Sequence, residues 1–240
     1  MLPVELIYEE DEDGEIHWLF RNEANIMRAA GLSVRTRPSL GAARLLRRGC
    51  IVDEENFPSD PRYLQDAATY GNYLYIARWY PVIKDLTIPT IFCGNLGHEA
   101  ATAIKANGWS RAFVKNSVKS LVEENPLESV WPNVSFEELH SAFSRNPRKG
   151  SYALRQYLPP ETFEDERRYW VIGNKIHHSS GKIPAIVEEA TTLLSSLGGI
   201  FYTIDATPAL VVEVNAGESS DRKTDNLAED FARWTREAFQ

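Results

Sequence analysis

The chain has 240 residues, of which 43% are hydrophobic and 25% charged, a composition typical of a globular protein with one or two domains. Its formal net charge of −8 at pH 7 argues against a broad nucleic-acid-binding face. No apolar run approaches the length of a membrane span, and the N-terminal segment lacks the basic and apolar regions of a secretory signal. We therefore expect a cytoplasmic protein that binds neither nucleic acid nor membrane.

Strands and helices alternate in the first part of the chain. Hydrophobic patterns and turn residues predict strands at 4–8, 32–37, 50–53 and 88–93, and helical regions at 22–30 and 61–85. The basic run from Arg44 to Arg48 is interpreted as the solvated edge of a helix. This alternation predicts a small α/β layer with a parallel sheet, which we assign to an N-terminal domain of residues 1–98.

The rest of the chain combines antiparallel strands with helices. Strands are predicted at 111–115, 152–158, 166–172 and 175–179, and helices at 98–107, after Ser135, at 184–197 and at 225–239. Gly173 and Asn174 are a two-residue hairpin signal between the last two of these strands. The pattern predicts an α+β domain with antiparallel sheets over residues 99–240, with lobes at about 99–160 and 161–240.

Residues 201–215 predict a β-hairpin that carries three oxygen-bearing side chains. Asp205 closes the first strand, and Glu213 and Asn215 project from one face of the second because side chains alternate along a strand. Hard cations such as Mg²⁺ bind carboxylate and amide oxygens and usually keep water and substrate phosphates as their other ligands. The hairpin is thus a candidate platform for Mg²⁺ bound to a nucleotide. By themselves, the three residues are explained equally well by a turn-capping Asp205 and a solvated Glu213.

The loop of this hairpin decides whether Asp205 and Glu213 share a face. They do so only if the residue numbers of the two partners in each cross-strand pair add up to an even number. A four-residue loop at 206–209 would pair residue 205 with residue 210 and make this sum odd. We therefore predict a loop of three or five residues, or a β-bulge, around Thr207 and Pro208.

Basic residues on earlier strands complete a larger pattern. Lys115 ends one strand, Lys119 follows it, and Arg168 lies two residues after Glu166 on another strand. The chain resembles the ATP-grasp superfamily of ATP-dependent carboxylate–amine ligases, and more narrowly a compact bacterial and phage clade of it. The resemblance rests on four features in order: the strand 113–115, the strand 154–158, the strand 166–173 and the Asp…Glu-x-Asn hairpin.

The resemblance implies a role for each matching position. Lys115 and Lys119 are expected to contact the ATP phosphates, and Arg168, oriented by Glu166, to stabilise the transferred phosphoryl group, so that Lys119 and Arg168 are the candidate catalytic residues. The backbone of Gln156, Tyr157 and Leu158 is expected to pair with adenine, and the nucleotide to lie between two lobes. The expected Mg²⁺ ligands are Asp205, Glu213 and Asn215, and the expected substrate-binding residues are Gly217, Ser219 and Ser220.

The resemblance also implies an activity, which is the formation of an amide or peptide bond from ATP, a carboxylate and an amine through an acyl-phosphate. A phosphotransferase of the same architecture and a non-catalytic nucleotide-binding or interaction protein are the alternatives. The sequence departs from the family at two places. No glycine-rich loop follows Lys115, and the short interval between Asp205 and Glu213 makes Asp205 the least certain ligand. The sequence defines neither the two substrates nor an oligomeric state.

Overall fold

The structure, a computed structural model, describes residues 3–95, 98–116, 118, 134–135, 149–178, 182–220 and 227–239. Contacts divide the chain into two compact units, one formed by residues 1–74 with 166–240 and the other by residues 75–165. The predicted domain and lobe boundaries, near residues 98 and 160, stay a prediction.

The first unit begins with a three-stranded parallel sheet. Its strands are β1 (Val4–Tyr8), β2 (Ser33–Arg35) and β3 (Arg44–Arg48), in the order β2-β1-β3. Helix α1 (Arg21–Ala29) lies between β1 and β2 in the chain, and helix α2 (Ala67–Leu74) follows β3. A parallel α/β layer is confirmed, but the strand predicted at 88–93 is not part of it and pairs antiparallel in the second unit. The predicted third strand at 50–53 is wrong, because residues Arg44–Arg48 form the third strand of the sheet.

The basic run that forms β3 was expected to be solvated, and this expectation is also wrong. Arg48 is fully buried, and its Nε and Nη2 donate hydrogen bonds of 2.8 Å to the two carboxylate oxygens of Glu23 on α1. Aromatic rings surround the guanidinium at centroid distances of 5.2–5.9 Å; they belong to Phe20, Trp170, Phe201 and Phe231. Pairing to a buried carboxylate and contact with aromatic rings allow an arginine to replace an apolar residue inside a strand.

The second unit is built on a four-stranded antiparallel sheet. Its elements are α3 (Ile76–Ile83), β4 (Thr90–Asn95), α4 (His98–Ala106), β5 (Arg111–Asn116), β6 (Val134–Ser135) and β7 (Lys149–Gln156). The strand order is β4-β7-β5-β6. Ala100 and Ile104 of α4 pack against Val114 and Leu154 of the sheet. Ser135 belongs to β6, and the helix predicted after it lies outside the described residues.

A second sheet completes the first unit. Strands β8 (Arg167–Ile172), β9 (Lys175–His177), β10 (Phe201–Ala206) and β11 (Val211–Ala216) form an antiparallel sheet in the order β11-β10-β8-β9. Helices α5 (Ala185–Leu194) and α6 (Leu227–Phe239) belong to the same unit. Gly173 and Asn174, with φ of 58° and 69°, form the predicted two-residue turn. None of the helices in the described ranges has both the length and the apolar character needed to cross a bilayer.

One face of this antiparallel sheet changes from apolar to polar along its strands. At one end, Trp170 and Phe201 pack with Phe231 of α6 in a core that also contains residues of β1 and α1. Because side chains alternate along a strand, Arg168 and Asp205 lie on the same face, further along β8 and β10. The polar end of the face is therefore supported by the main apolar core of the unit.

Candidate functional site

The β10–β11 hairpin places Asp205 and Glu213 directly opposite each other. The register pairs Asp205 with Glu213 and then shifts, so that Ala206 pairs with Val211. The extra residue on β11 is a β-bulge, and it allows a four-residue loop at 207–210 to coexist with an even pairing sum. The predicted bulge is confirmed, and the two carboxylates share one face of the sheet.

Asn215 extends this polar row by one position. It pairs with Thr203 on β10 and lies two residues from Glu213, so its side chain is on the same face. Its Nδ2 atom is buried and has no hydrogen-bond partner among the described residues. A buried amide nitrogen without a partner is unusual, and the two ends of an asparagine amide are assigned from their hydrogen bonds. If the amide is rotated by about 180°, its carbonyl oxygen replaces Nδ2 at the buried position, and an oxygen there is suited to bind a cation.

Arg168 forms a bidentate ion pair with Asp205 across β8 and β10. Its Nε donates to Oδ1 at 2.7 Å and its Nη2 to Oδ2 at 2.6 Å. The exposed fractions of the two side chains are 9% and 2%. Arg168 and Asp205 are paired residues in the β8–β10 register. Two residues that the sequence predicted for separate roles in the site are therefore in direct contact. Glu166, expected to orient Arg168, is half-buried and immediately precedes β8.

The donor set fits a hard cation, with one restriction. In the described part of the chain no three His, Cys, Asp or Glu side chains converge into a metal-binding group. The candidate site therefore consists of two carboxylates and one amide, a set that suits Mg²⁺ only when phosphates and water supply the other ligands. Arg168 occupies one lone-pair direction on each oxygen of Asp205, and a carboxylate has about four such directions. Asp205 is thus able to accept both the arginine and a cation.

The loop after β11 is held tightly against neighbouring elements. A Cβ on Gly217 would lie 2.7 Å from Cδ1 and 2.9 Å from the backbone carbon of Phe201, which is closer than side chains approach. Arg48 donates from Nη1 to the Gly217 carbonyl and from Nη2 to the Ser220 carbonyl, the latter at 3.0 Å. Ser220 Oγ is buried between the Ala216 carbonyl, at 2.8 Å, and Thr203 Oγ1, at 3.0 Å. Gly217 and Ser220 therefore fix the shape of the loop, whereas Ser219 is half-buried.

Glu218 is a residue of this loop that the sequence analysis missed. It is 1% exposed, and burial raises the pKa of its carboxyl to about 7, against the opposing effects of Gln65, Arg47 and Arg48. Gln65 Nε2 donates to its Oε1 at 2.6 Å, whereas Oε2 has no hydrogen-bond partner among the described residues. A glutamate beside glycine and serines is usually solvated, so the sequence carried no signal of this burial.

The remaining predicted site residues belong to the second unit. Lys115 is 5% exposed on β5, opposite Ala153. Gln156 ends β7, and its backbone N–H donates to the Pro89 carbonyl at 2.9 Å, so that amide is already paired. Tyr157 and Leu158 follow in irregular, half-buried backbone. Lys119 lies outside the described residues. The structure thus brings Arg168, Asp205, Glu213 and Asn215 together, and it places Lys115 and the 156–158 segment in their own unit.

Solved structures with the same fold cover nearly the whole chain. A RimK-domain ATP-grasp protein from Sphaerobacter thermophilus DSM 20745 is 16% identical to this chain, with 99% of each chain covered and a TM-score of 0.58. The chain has the ATP-grasp fold. D-alanyl-alanine synthetase A from Vibrio cholerae O1 biovar eltor str. N16961 is 11% identical, with 99% of this chain and 97% of that chain covered and a TM-score of 0.54.

A third ATP-grasp structure was solved with bound molecules. The ATP-grasp ligase PsnB, in complex with a phosphomimetic variant of its minimal precursor, Mg and ADP, is 10% identical, with 100% and 98% of the two chains covered and a TM-score of 0.56. At these identities the likeness concerns the ATP-grasp fold. No family model and no curated protein matches the sequence.

Proposed function

We propose that this protein is an ATP- and Mg²⁺-dependent ligase that joins a carboxylate to an amine through an acyl-phosphate. The observation that carries the proposal is the pairing of Asp205 with Glu213, with Asn215 on the same face of the hairpin. Two adjacent carboxylates and an amide are suited to a cation that also binds phosphates. The ATP-grasp fold adds support, because PsnB is a ligase solved with Mg and ADP.

In this proposal Asp205, Glu213 and Asn215 hold Mg²⁺, which neutralises charge on the phosphates of ATP. A substrate carboxylate oxygen attacks the γ-phosphorus; its P–O bond forms while the bond to the ADP oxygen breaks. The amine nitrogen then attacks the acyl carbon, phosphate leaves with the former carboxylate oxygen, and the amine loses a proton. Phosphoryl transfer needs positioning and charge neutralisation more than covalent help from the protein.

Arg168 is a basic residue in direct contact with a proposed Mg²⁺ ligand. A guanidinium has five N–H groups, and two of those of Arg168 donate to Asp205. The ion pair fixes the guanidinium beside the proposed ligands, and we assign Arg168 to the transferred phosphoryl group. Lys115, Lys119 and the backbone of residues 156–158 are assigned to ATP, with the amide of Gln156 excluded because it pairs with Pro89. The proposed substrates are either small molecules or peptides, such as the precursor peptide PsnA2 in complex with PsnB.

Hydroxylamine trapping tests the activity. The protein is incubated with ATP, Mg²⁺, hydroxylamine and one member of a carboxylate panel that includes amino acids and short peptides. We expect ADP and a hydroxamate to form together, because hydroxylamine replaces the amine at the acyl-phosphate. A stable phosphorylated product in place of the hydroxamate identifies the phosphotransferase alternative.

Glu213→Gln provides the matched loss of function, since it removes one proposed ligand charge and keeps the side-chain shape. We expect it to weaken Mg²⁺-dependent ADP binding by roughly tenfold or more, as loss of a charge-assisted contact does. Glu189→Gln on the exposed face of α5 is the control. Equal ADP affinity with and without Mg²⁺, in wild type and in Glu213→Gln, contradicts the proposed site.

A further inference from the structure

The carboxyl ends of β1 and β3 meet the loop that follows β11. Gly49, just after β3, donates its N–H to the Glu218 carbonyl at 2.9 Å. A Cβ on Gly49 would lie 2.8 Å from Cβ of Glu9 and 2.9 Å from Nη2 of Arg47, so only glycine allows this approach. Ligands of open parallel sheets bind outside the carboxyl ends of their strands. This edge of the sheet is therefore a place to look for a binding site, and the proposed Mg²⁺ hairpin leads directly into it.

Two buried charged side chains at this edge each have one atom without a hydrogen-bond partner in the part of the chain that the structure describes. Arg47 is 8% exposed and Glu218 is 1% exposed. Nη1 of Arg47 and Oε2 of Glu218 are buried and have no hydrogen-bond partner among the described residues. Burial of such atoms without a hydrogen bond is costly, and more so when they are charged, so their presence calls for an explanation.

The other end of each side chain is fixed by the protein. Nη2 of Arg47 donates to the Cys50 carbonyl at 2.9 Å and lies 4.0 Å from Oε2 of Glu9. Oε1 of Glu218 accepts from Gln65 at 2.6 Å. Both groups are therefore oriented before any ligand arrives, and each keeps one hydrogen-bonding atom for it. Preorganised polar groups of this kind are typical of binding sites.

The two groups belong to one cluster. Burial raises the pKa of the Glu218 carboxyl, and the Arg47 guanidinium is close enough to oppose that rise. Tyr70 of α2 is buried beside them, and its hydroxyl is within electrostatic reach of both Arg47 and Glu218. Glu9, Cys50 and Ser219, which border the cluster, are only partly buried.

We propose that Arg47 and Glu218 bind the amine substrate of the ligase, and that this substrate is a free amino acid. Arg47 Nη1 takes its carboxylate and Glu218 Oε2 takes its amino group. This inference rests on the proposed ligase function. A guanidinium beside a carboxyl matches a molecule that carries both charges, whereas a simple amine leaves Arg47 unpaired and a simple carboxylate leaves Glu218 unpaired.

Calorimetric titration of the full-length protein with each standard amino acid, with and without Mg²⁺ and ADP, tests the inference. We expect at least one amino acid to bind, and its amide and its decarboxylated amine to bind wild type roughly tenfold or more weakly, because each lacks one charge-assisted contact. Arg47→Met is expected to lose the same factor for the amino acid and to bind the amide as wild type does. Arg44→Met, an exposed arginine of the same strand, is the control and keeps wild-type affinity.

Several outcomes separate the inference from the proposed function. If Mg²⁺ and ADP bind but no amino acid does, the inference fails and the ligase proposal stands. If an amino acid binds and Mg²⁺ and ADP do not, the ligase proposal fails. Equal affinity for an amino acid, its amide and its amine overturns the pairing with Arg47 and Glu218, and this comparison needs only wild-type protein if Arg47→Met does not fold.

Discussion

Arg168 and Asp205 lie opposite each other on adjacent strands and form a bidentate ion pair, with N–O distances of 2.7 and 2.6 Å. Both had been selected from the sequence for separate roles, one at the phosphoryl group and one at the metal. Their pairing couples those roles, because the same contact orients the guanidinium and holds the carboxylate beside Glu213. A change at either residue is therefore expected to affect stability as well as ligand binding.

Arg168→Met should destabilise the protein strongly. It removes both guanidinium donors to the buried Asp205, and loss of one partner of a buried ion pair costs about 3–5 kcal/mol. The double variant Arg168→Met/Asp205→Leu should recover most of the loss, since it removes both charges of the pair. Urea unfolding followed by circular dichroism measures both. Arg167→Met, at the exposed neighbouring position, should change stability by less than about 0.5 kcal/mol.

Arg48→Met should lower stability by a similar mechanism in the parallel sheet. The variant leaves Glu23 buried without its guanidinium and removes the donors to the Gly217 and Ser220 carbonyls. We expect a loss of about 3–5 kcal/mol in urea unfolding. Arg44→Met on the same strand is the control, and an equal loss in both variants would show that burial of Arg48 is not the cause.

Gly217→Ala should be costly although it adds a single methyl group. The new Cβ would meet both the ring and the backbone of Phe201, and backbone cannot move aside as a flexible side chain does. Overpacking of this kind costs roughly 1–3 kcal/mol. Thermal unfolding of Gly217→Ala and Gly94→Ala provides the comparison, because no described residue lies within 4 Å of a Cβ at Gly94. Similar melting temperatures for the two variants would contradict the predicted clash.

Glu218 should make stability fall as pH rises from about 4.5 to 7. In the unfolded chain a glutamate releases its proton near its ordinary pKa of 4.5, whereas in the folded protein burial raises the pKa to about 7. Between these two pH values the folded state binds more protons than the unfolded chain. The contribution of the protonated Glu218 carboxyl to the free energy of unfolding is therefore fully present below pH 4.5 and is lost as pH rises through 7. The loss amounts to ~3 kcal/mol at most, at 1.36 kcal/mol per pKa unit.

Glu218→Gln removes the titrating carboxyl group. The free energy of unfolding of wild type relative to the variant should therefore decrease between pH 5 and pH 7. Urea unfolding at several pH values measures the difference. Glu189→Gln controls for removal of a carboxylate from the surface. A difference between wild type and Glu218→Gln that does not change with pH would show that the Glu218 carboxyl titrates at the same pH in both states.

Local patterns predicted much of the fold. The turn at Gly173 and Asn174, the strand Val4–Tyr8 and the bulge in the 201–215 hairpin all depend on residues near one another in the chain. The bulge was one of the predicted ways to put Asp205 and Glu213 on one face, because a shared face and a four-residue loop are otherwise incompatible. The failure at Arg44–Arg48 has the opposite origin. Its burial depends on Glu23 and on aromatic rings as distant as Phe231, which no local pattern contains.

By itself, the sequence determined that Glu213 and Asn215 share one face of a strand, because side chains alternate along it. The register of the folded hairpin decided that Asp205 lies on that face as well. Tertiary structure alone decided which charges are buried. Arg47 and Glu218 are 171 positions apart in the sequence, by their numbering, and only the meeting of β3 with the loop after β11 removes both from water. Burial depends on every element that packs around a group, so it was settled by the whole unit and not by the residues beside it.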